Sequence, residues 1–376
     1  MAAGRSATSA SCGRANAVAS RSIGRAVPYR LSIIGPLPEP IVSPTLSPPA
    51  PPHAATPGSL PALMADDMHQ VDAVIQRRLA SQVVLIDRIA HYIISAGGKR
   101  IRPMLVLLFS SALGFVGRER FELAATVEFI HTATLLHDDV VDESGLRRGR
   151  RTANALFGNA ASVLVGDFVY SRAFQMMVSV NRMRVLEILA DATNVIAEGE
   201  VLQLMNMHDP DIAVDDYLRV IRFKTAKLFE ASARLGAVLA EADAATEEAC
   251  ADYGRSLGTA FQLVDDLLDY EGATEQLGKN VGDDLREGKP TLPLLIAMER
   301  GSPSERELVR HAIKHGEVAR LADIVAIVRS TGALSVTRDA ARTEADKAGK
   351  ALGRLPPTLY RDALLDFSVR SVERSS

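Results

Sequence analysis

Cysteine is nearly absent from this 376-residue chain: Cys12 and Cys250 are the whole supply. Two such residues exclude a disulfide framework and offer no thiolate metal site, and Cys250 reads most simply as a small core residue. Long apolar runs are missing too. The longest, Met104–Val116, is broken by Ser110-Ser111 and falls short of the ~18 residues that a membrane span needs. No stretch alternates as a strand would, which leaves an all-α fold. The first 63 residues have no lysine and one acidic residue, Glu39, beside five arginines and 11 of the 18 prolines. Such a composition cannot bury enough apolar surface to offset chain entropy. Residues 1–63 are therefore expected to be a disordered extension and 64–376 the folded domain. Residues 1–35, with Arg, Ser and Ala but no acid, resemble a transit peptide. The alternatives are an upstream start, with Met64 the initiator, or a tail of no consequence. The extension carries +4, so the chain's −3 leaves −7 on the body, which argues against general nucleic-acid binding.

The body itself is rich in helical periodicity. Val71, Val74, Ile75, Leu79, Val83, Ile86, Ile89 and Ile93 recur at three- and four-residue steps, predicting one helix that Gly97-Gly98 stops. Pro103 suits the first turn of the next helix. Further runs cover 103–113, 119–143, 159–180, 184–207, 214–240 and 244–270, with shorter ones from 290 to 371. Long helices on short connections predict a bundle whose site is built from side chains on facing helices.

Chemistry concentrates between His131 and Thr152. Asp138, Asp139 and Asp142 stand in an apolar run, and Arg147, Arg148, Arg150 and Arg151 follow. At 100° per residue Asp138 and Asp142 lie about 40° apart and Asp139 about 60° beyond, one face of a helix. Carboxylates so close, in apolar surroundings, need cations. All-oxygen ligation suits Mg²⁺ or Mn²⁺, and arginines a turn further on suit phosphate. The spacing returns 127 residues later as Asp265, Asp266 and Asp269, behind Gln262. A single acidic triplet is often a solvated helix face. Two copies in apolar helices, each followed by basic residues, point to a site.

Other polar residues join them. Gly97-Gly98-Lys99-Arg100-Ile101-Arg102 is a Gly-rich turn feeding a helix N-terminus, where free N–H groups favour anions; an ordinary basic helix start is the plain alternative. His131 precedes Asp138 by two turns. Lys224-Thr225 and Lys227 interrupt an apolar helix, though Lys224 also reads as a surface lysine. Lys279, Asp283, Asp284 and Lys289 crowd a Gly-rich loop after the second triplet. Together they form facing acidic clusters ringed by basic groups, a constellation for diphosphates bridged by divalent metal.

With these residues on the page, the chain resembles the trans-isoprenyl diphosphate (polyprenyl) synthase family. The matching motifs are GGKRIRP, DDVVDESGLRRG, the Lys-Thr pair, FQLVDDLLDYEG and GKNVGDDLREGKPTLP. The resemblance covers about 64–371; FIHTATLLHDDVVDES and NVIAEGEVLQLMN look especially like the bacterial octaprenyl-forming members. It implies an isoprenoid-synthase-type bundle with a central cavity, its two aspartate-rich helices facing each other. The implied reaction is head-to-tail transfer of the prenyl group of an allylic diphosphate, such as farnesyl diphosphate, onto isopentenyl diphosphate with release of pyrophosphate, giving an octaprenyl-length chain for quinones. Asp138, Asp142, Asp265 and Asp269 would hold Mg²⁺, three ions per site with Mn²⁺ a substitute, and Asp139 and Asp266 would support them. Arg147, Lys224, Thr225, Gln262 and Lys279 would hold the allylic diphosphate. Lys99, Arg102, His131 and Arg148 would hold isopentenyl diphosphate. A homodimer in the cytoplasm is implied, with peripheral membrane association for product release; a genuine transit segment would instead mean mitochondria.

Competing classes are a terpene cyclase, a shorter-chain synthase, a non-catalytic partner subunit and a purely structural helical protein. Two full triplets with GGKRIRP favour elongation over cyclisation, and all six aspartates are retained where silent subunits often lose some. For product length, Ala133 and Thr134, the fifth and fourth residues before Asp138, leave the way open where an aromatic would block it. Phe174, Met176 and Met177 are candidates for the cavity floor, ordinary core packing being the alternative for each.

Overall fold

The computed structural model describes residues 60–95, 97–271 and 282–373. The expected extension therefore lies almost entirely outside the described residues, as does Lys279. Within them the chain is helical nearly throughout: α1 Leu60–Leu79, α2 Val84–Ser95, α3 Ile101–Ala112, α4 Glu119–Val141, α5 Ala153–Phe157, α6 Asn159–Ser179, α7 Met183–Asn206, α8 Val214–Ile221, α9 Lys227–Leu239 and α10 Ala244–Glu271. Six more α-helices follow among the described residues between Asp283 and Glu373. The all-α expectation holds, with one small addition. Leu146–Arg147 and Arg150–Arg151 pair as a two-strand antiparallel hairpin, β1 and β2.

The single helix expected over Val71–Ile93 is instead two. The chain leaves helical geometry between Leu79 and Val84, where Val83 and Val84 are more than half exposed. The apolar spacing carries across this break because both helices bury the same side against the core. Periodicity alone does not register a corner that keeps its inward face.

Helix α4 runs through the middle of the larger core, packed against α3, α6, α9 and α1. Leu123, Ala124, Ala125, Val127, Phe129, Ile130, Ala133 and Leu136 are fully buried on it. Glu128, His131, Thr134, Asp138 and Asp142, at three- and four-residue steps, form a stripe that escapes full burial. That stripe lines a cleft. A second core gathers Tyr217, Leu263, Val264, Leu268 and Tyr270 with the helices after residue 282. It carries the second aspartate triplet.

Candidate active site

The first triplet ends α4, with Asp142 as its C-cap. A two-residue turn then reverses the chain between β1 and β2. Arg148 and Gly149 both take positive φ, 53° and 71°, the geometry of a type I′ hairpin turn. The reversal folds Arg147 back onto Asp139, whose Oδ1 accepts from Arg147 Nε at 2.7 Å and lies 2.7 Å from Nη2. Asp139 is fully buried. Burial raises its pKa, and Arg147 opposes the rise. The same turn lays the Arg148 guanidinium against Gly98, where an added Cβ would sit 2.6 Å from Nη1 and 2.9 Å from Nη2.

A basic wall forms opposite. Arg102 stacks over the Phe229 ring at 4.6 Å, and burial lowers its pKa to about 10 despite the nearby Glu128 and Asp265. Glu128 lies 3.0 Å from Arg100 Nη1 and also faces Arg148. His131 is held well below its ordinary pKa, first by burial and then by Arg102, Arg147, Arg148 and Arg100. It is a neutral hydrogen-bonding group near pH 7. A concavity lined by Tyr92, Gly97, Glu128, Thr132, Arg147 and Arg148 opens on this side. Lys99 belongs to the same turn and has partners of its own.

Between α8 and α9, Arg222–Ala226 form a π-turn. The sequence predicts one uninterrupted helix over 214–240; the extra residue instead bulges the backbone where Lys224-Thr225 stand. Bulges of this kind recur at functional sites. Helix α7 accommodates it through Gly199, where a Cβ would meet the Lys224 backbone nitrogen at 2.6 Å. This close approach delivers Glu200 to Lys224 Nζ at 2.7 Å, while Asp138 Oδ2 lies 4.0 Å from the same ammonium. Thr225 Oγ1 donates to Gln262 Oε1 at 3.0 Å, and Gln262 Nε2 to Asp266 Oδ1 at 2.7 Å. Tyr217 donates its hydroxyl to Asp266 Oδ2 at 2.6 Å. Burial, then Asp284, pushes Asp266 up to about 7. Burial and Asp266 hold the Tyr217 hydroxyl well above its usual range, so it remains a donor.

The two triplets are thus bridged twice. The Lys224-Thr225 turn spans from Asp138 to the Gln262–Asp266 pair. The segment after Gly282 spans from Asp269, whose Oδ2 accepts from the Asp284 N–H at 3.3 Å, to Asp142, whose Oδ2 lies 3.4 Å from Lys289 Nζ. Burial would lower the Lys289 pKa, but Asp142 and Glu287 outweigh it and raise it. Asp138 titrates above its ordinary value, chiefly through burial and with Asp142 adding repulsion. Among the described residues no three carboxylate or histidine groups converge on one point. The donor set still fits hard divalent cations: half-buried carboxylates, all oxygen, facing one another across a cleft.

The polyprenyl synthetase family model matches residues 83–328. The chain belongs to the polyprenyl synthetase family. It is 56% identical over 313 residues to octaprenyl diphosphate synthase of Escherichia coli (strain K12), covering 83% of this chain and 97% of that one. It is similar to the crystal structure of polyprenyl synthase from Caulobacter crescentus CB15 complexed with calcium and isoprenyl diphosphate. That match has TM-score 0.82 and 48% identity over 87% of this chain and all of the other. A decaprenyl diphosphate synthase structure from Rhodobacter capsulatus matches at TM-score 0.80 and 47% identity, over 84% of this chain and 98% of that one. The polyprenyl synthetase family is generally Mg²⁺-dependent, in keeping with the oxygen donors here.

Sequence reasoning found the triplets, the arginines and the Lys-Thr pair. It passed over Glu128, Glu200 and Tyr217, each of which sits one step behind a predicted residue. Glu200 stands in an acidic, apolar run with no triplet around it, and Tyr217 reads as an ordinary helix aromatic. Phe174 keeps 38% of its surface exposed and meets Tyr170 edge-on at 5.2 Å between ring centres. Met176 and Met177 are fully buried on the same helix.

Proposed function

We propose that this site joins isopentenyl diphosphate to an allylic diphosphate, farnesyl diphosphate being the expected primer, to give a long all-trans product near eight isoprene units. The protein is a long-chain trans-polyprenyl diphosphate synthase, a prenyltransferase. The observation that carries the reading is the double bridge between the two aspartate triplets, with a separate wall of arginines opposite. One diphosphate is accommodated at each place.

Asp138, Asp142, Asp265 and Asp269 hold magnesium, three ions per site with manganese a substitute; the chemistry supplied there is neutralisation of charge growing on the departing diphosphate. Asp139 and Asp266 support from behind, through Arg147 and through Gln262 with Tyr217. Lys224, Thr225, Gln262, Arg147 and Lys279 orient the allylic diphosphate. Lys224 and Arg147 keep their charges fixed before the C–O bond breaks, so they favour the transition state over the ground state. Lys99, Arg102, His131 and Arg148 hold isopentenyl diphosphate. His131, neutral before substrate binds, offers a hydrogen bond beside the arginines that supply the charge. As the allylic C–O bond breaks, the isopentenyl double bond attacks the allylic carbon. A proton then leaves to the released pyrophosphate. The buried apolar seam of α4 keeps water from the cation. Met177 and Phe174 are the proposed floor.

A homodimer is part of this reading. Leu164 and Val178 on α6, and Val201, Leu204 and Met205 on α7, are each more than half exposed, an apolar surface that a second copy would cover. Residence in the cytoplasm and supply of a quinone side chain complete the proposal. No described helix is long and apolar enough to cross a membrane.

Incubating purified protein with isopentenyl and farnesyl diphosphates and Mg²⁺, then sizing the dephosphorylated products by chromatography, tests the function. A ladder ending near eight units is expected. No condensation, or an end at three or four units, overturns the long-chain reading.

The arginine wall makes a separate prediction. Arg148→Gln takes away the guanidinium that lies against Gly98 and leaves the glycine turn itself untouched. The KM for isopentenyl diphosphate is expected to rise about 10-fold, the weight of one charge-assisted hydrogen bond. The KM for the allylic substrate stays within about 2-fold. Equal rises in both would contradict the division of the site into two diphosphate positions.

A further inference from the structure

Tyr217 lies outside every motif that carries the family resemblance, yet its hydroxyl donates into the second triplet, to Asp266 Oδ2 at 2.6 Å. We propose that Tyr217 is a positioning residue for the allylic half of the site, fixing Asp266 and, through Gln262, setting the direction of the Thr225 hydroxyl. The inference rests on the reading of the site as one that binds an allylic diphosphate.

The argument is one of hydrogen-bond direction. Each oxygen of Asp266 has one side-chain donor, Tyr217 on Oδ2 at 2.6 Å and Gln262 on Oδ1 at 2.7 Å, and both donors favour the carboxylate form, which only accepts. Once the Gln262 NH₂ group is committed to Asp266, its carbonyl must point the other way. It points at Thr225, which donates to it at 3.0 Å. Every donor in the row Thr225, Gln262, Asp266, Tyr217 is therefore ordered by the central carboxylate. A glutamine amide freed from its anchor turns over readily, because its two ends are the same shape. Turned over, it would present NH₂ to Thr225 and reverse the threonine hydroxyl.

Tyr217 is what holds the anchor still. It is buried, and it reaches Asp266 from α8, the helix that runs directly into the π-turn bearing Thr225. The α8–π-turn segment is thus pinned to α10 at two points. Tyr217 meets Asp266 near the C-terminal end of α10, and Thr225 meets Gln262 one turn earlier, in antiparallel order. Without the hydroxyl, one pin is lost and Asp266 Oδ2 has no side-chain donor. The carboxylate is then free to rotate, and the glutamine with it. Nothing in this role requires Tyr217 to touch substrate.

Four proteins test it: wild type, Tyr217→Phe, Gln262→Ala and the double variant. Each is titrated in Mg²⁺ with the unreactive thiolo-diphosphate analogue of farnesyl diphosphate, and KM for isopentenyl diphosphate is measured alongside. Tyr217→Phe keeps the ring and its packing. It is expected to weaken analogue binding about 10-fold while leaving KM for isopentenyl diphosphate within about 2-fold. In the Gln262→Ala background the same change is expected to cost nothing further, since residues acting through one network are not additive. Unchanged analogue affinity in Tyr217→Phe overturns the inference. So does an equal loss in both backgrounds, the mark of a packing effect independent of Gln262. If wild type itself does not bind the analogue, the allylic-site reading fails, and this inference falls with it.

Discussion

Asp138→Ala is expected to lower turnover by about 10²–10³, the usual cost of losing one group that stabilises developing charge, with helix content unchanged and the melting temperature no lower than in wild type. Asp265→Ala should behave alike. The stability half of this prediction follows from the environment of Asp138. Its pKa is raised because burial disfavours its charge and Asp142 repels it. A group whose folded pKa lies above its unfolded value costs stability above that range as an anion, so its removal relieves the fold. The remaining ammonium is not stranded, because Lys224 keeps Glu200 at 2.7 Å. The functional half follows from position: Asp138 sits on the incompletely buried stripe of α4, opposite the bridge to the second triplet. Initial rates at saturating Mg²⁺, with circular dichroism on the same samples, decide it. Near-wild-type turnover in either variant would sink the assignment of these carboxylates to the metal.

The sequence made the fold legible because helical amphipathicity is a local property. Leu123 through Leu136 announce a buried helix without reference to anything distant. The candidate residues were legible for a different reason: carboxylates and arginines are conspicuous in apolar company. What stayed hidden depends on contacts between segments far apart in the chain. Glu200 meets Lys224 only because Gly199 lets α7 press on a π-turn, and the π-turn leaves no mark on apolar spacing. Tyr217 meets Asp266 across 49 positions, and nothing local distinguishes it from a core aromatic. The corner at residues 80–83 escaped because both flanking helices bury the same face. The hairpin at 146–151 escaped because two-residue strands are too short to alternate. Its turn was nonetheless written in Arg148-Gly149, where positive φ at two successive residues favours glycine at the second.

Ala133→Tyr is expected to shorten the product sharply, to a few isoprene units, while leaving the first condensation nearly as fast as in wild type. Thr134 lies about 40° round α4 from Asp138, on the cleft stripe, whereas Ala133 lies about 140° round and is fully buried. In the proposed reading a product that grows away from the aspartates passes Thr134 roughly one turn below the reacting carbon, with Ala133 beside it on the buried side. Early intermediates end above this level and meet no obstacle; later ones need the volume that a tyrosine ring would occupy. Because Ala133 has no exposed surface, its neighbours must yield to the ring, at a cost of about 1–3 kcal/mol. In the proposed reading the product path is the space that yields most cheaply. Thr134→Phe serves as the second variant, since Thr134 is only partly buried and its hydroxyl bonds no more than the His131 carbonyl one turn back, at 2.9 Å. Its ring enters the cleft without repacking the core. The measurement is the distribution of chain lengths beside the rate of the first addition, both from the same reaction. Full-length product from both variants would mean that the chain does not run along this face of α4. A loss of the first condensation in step with product length would mean that the substitution damages the diphosphate site rather than the path below it.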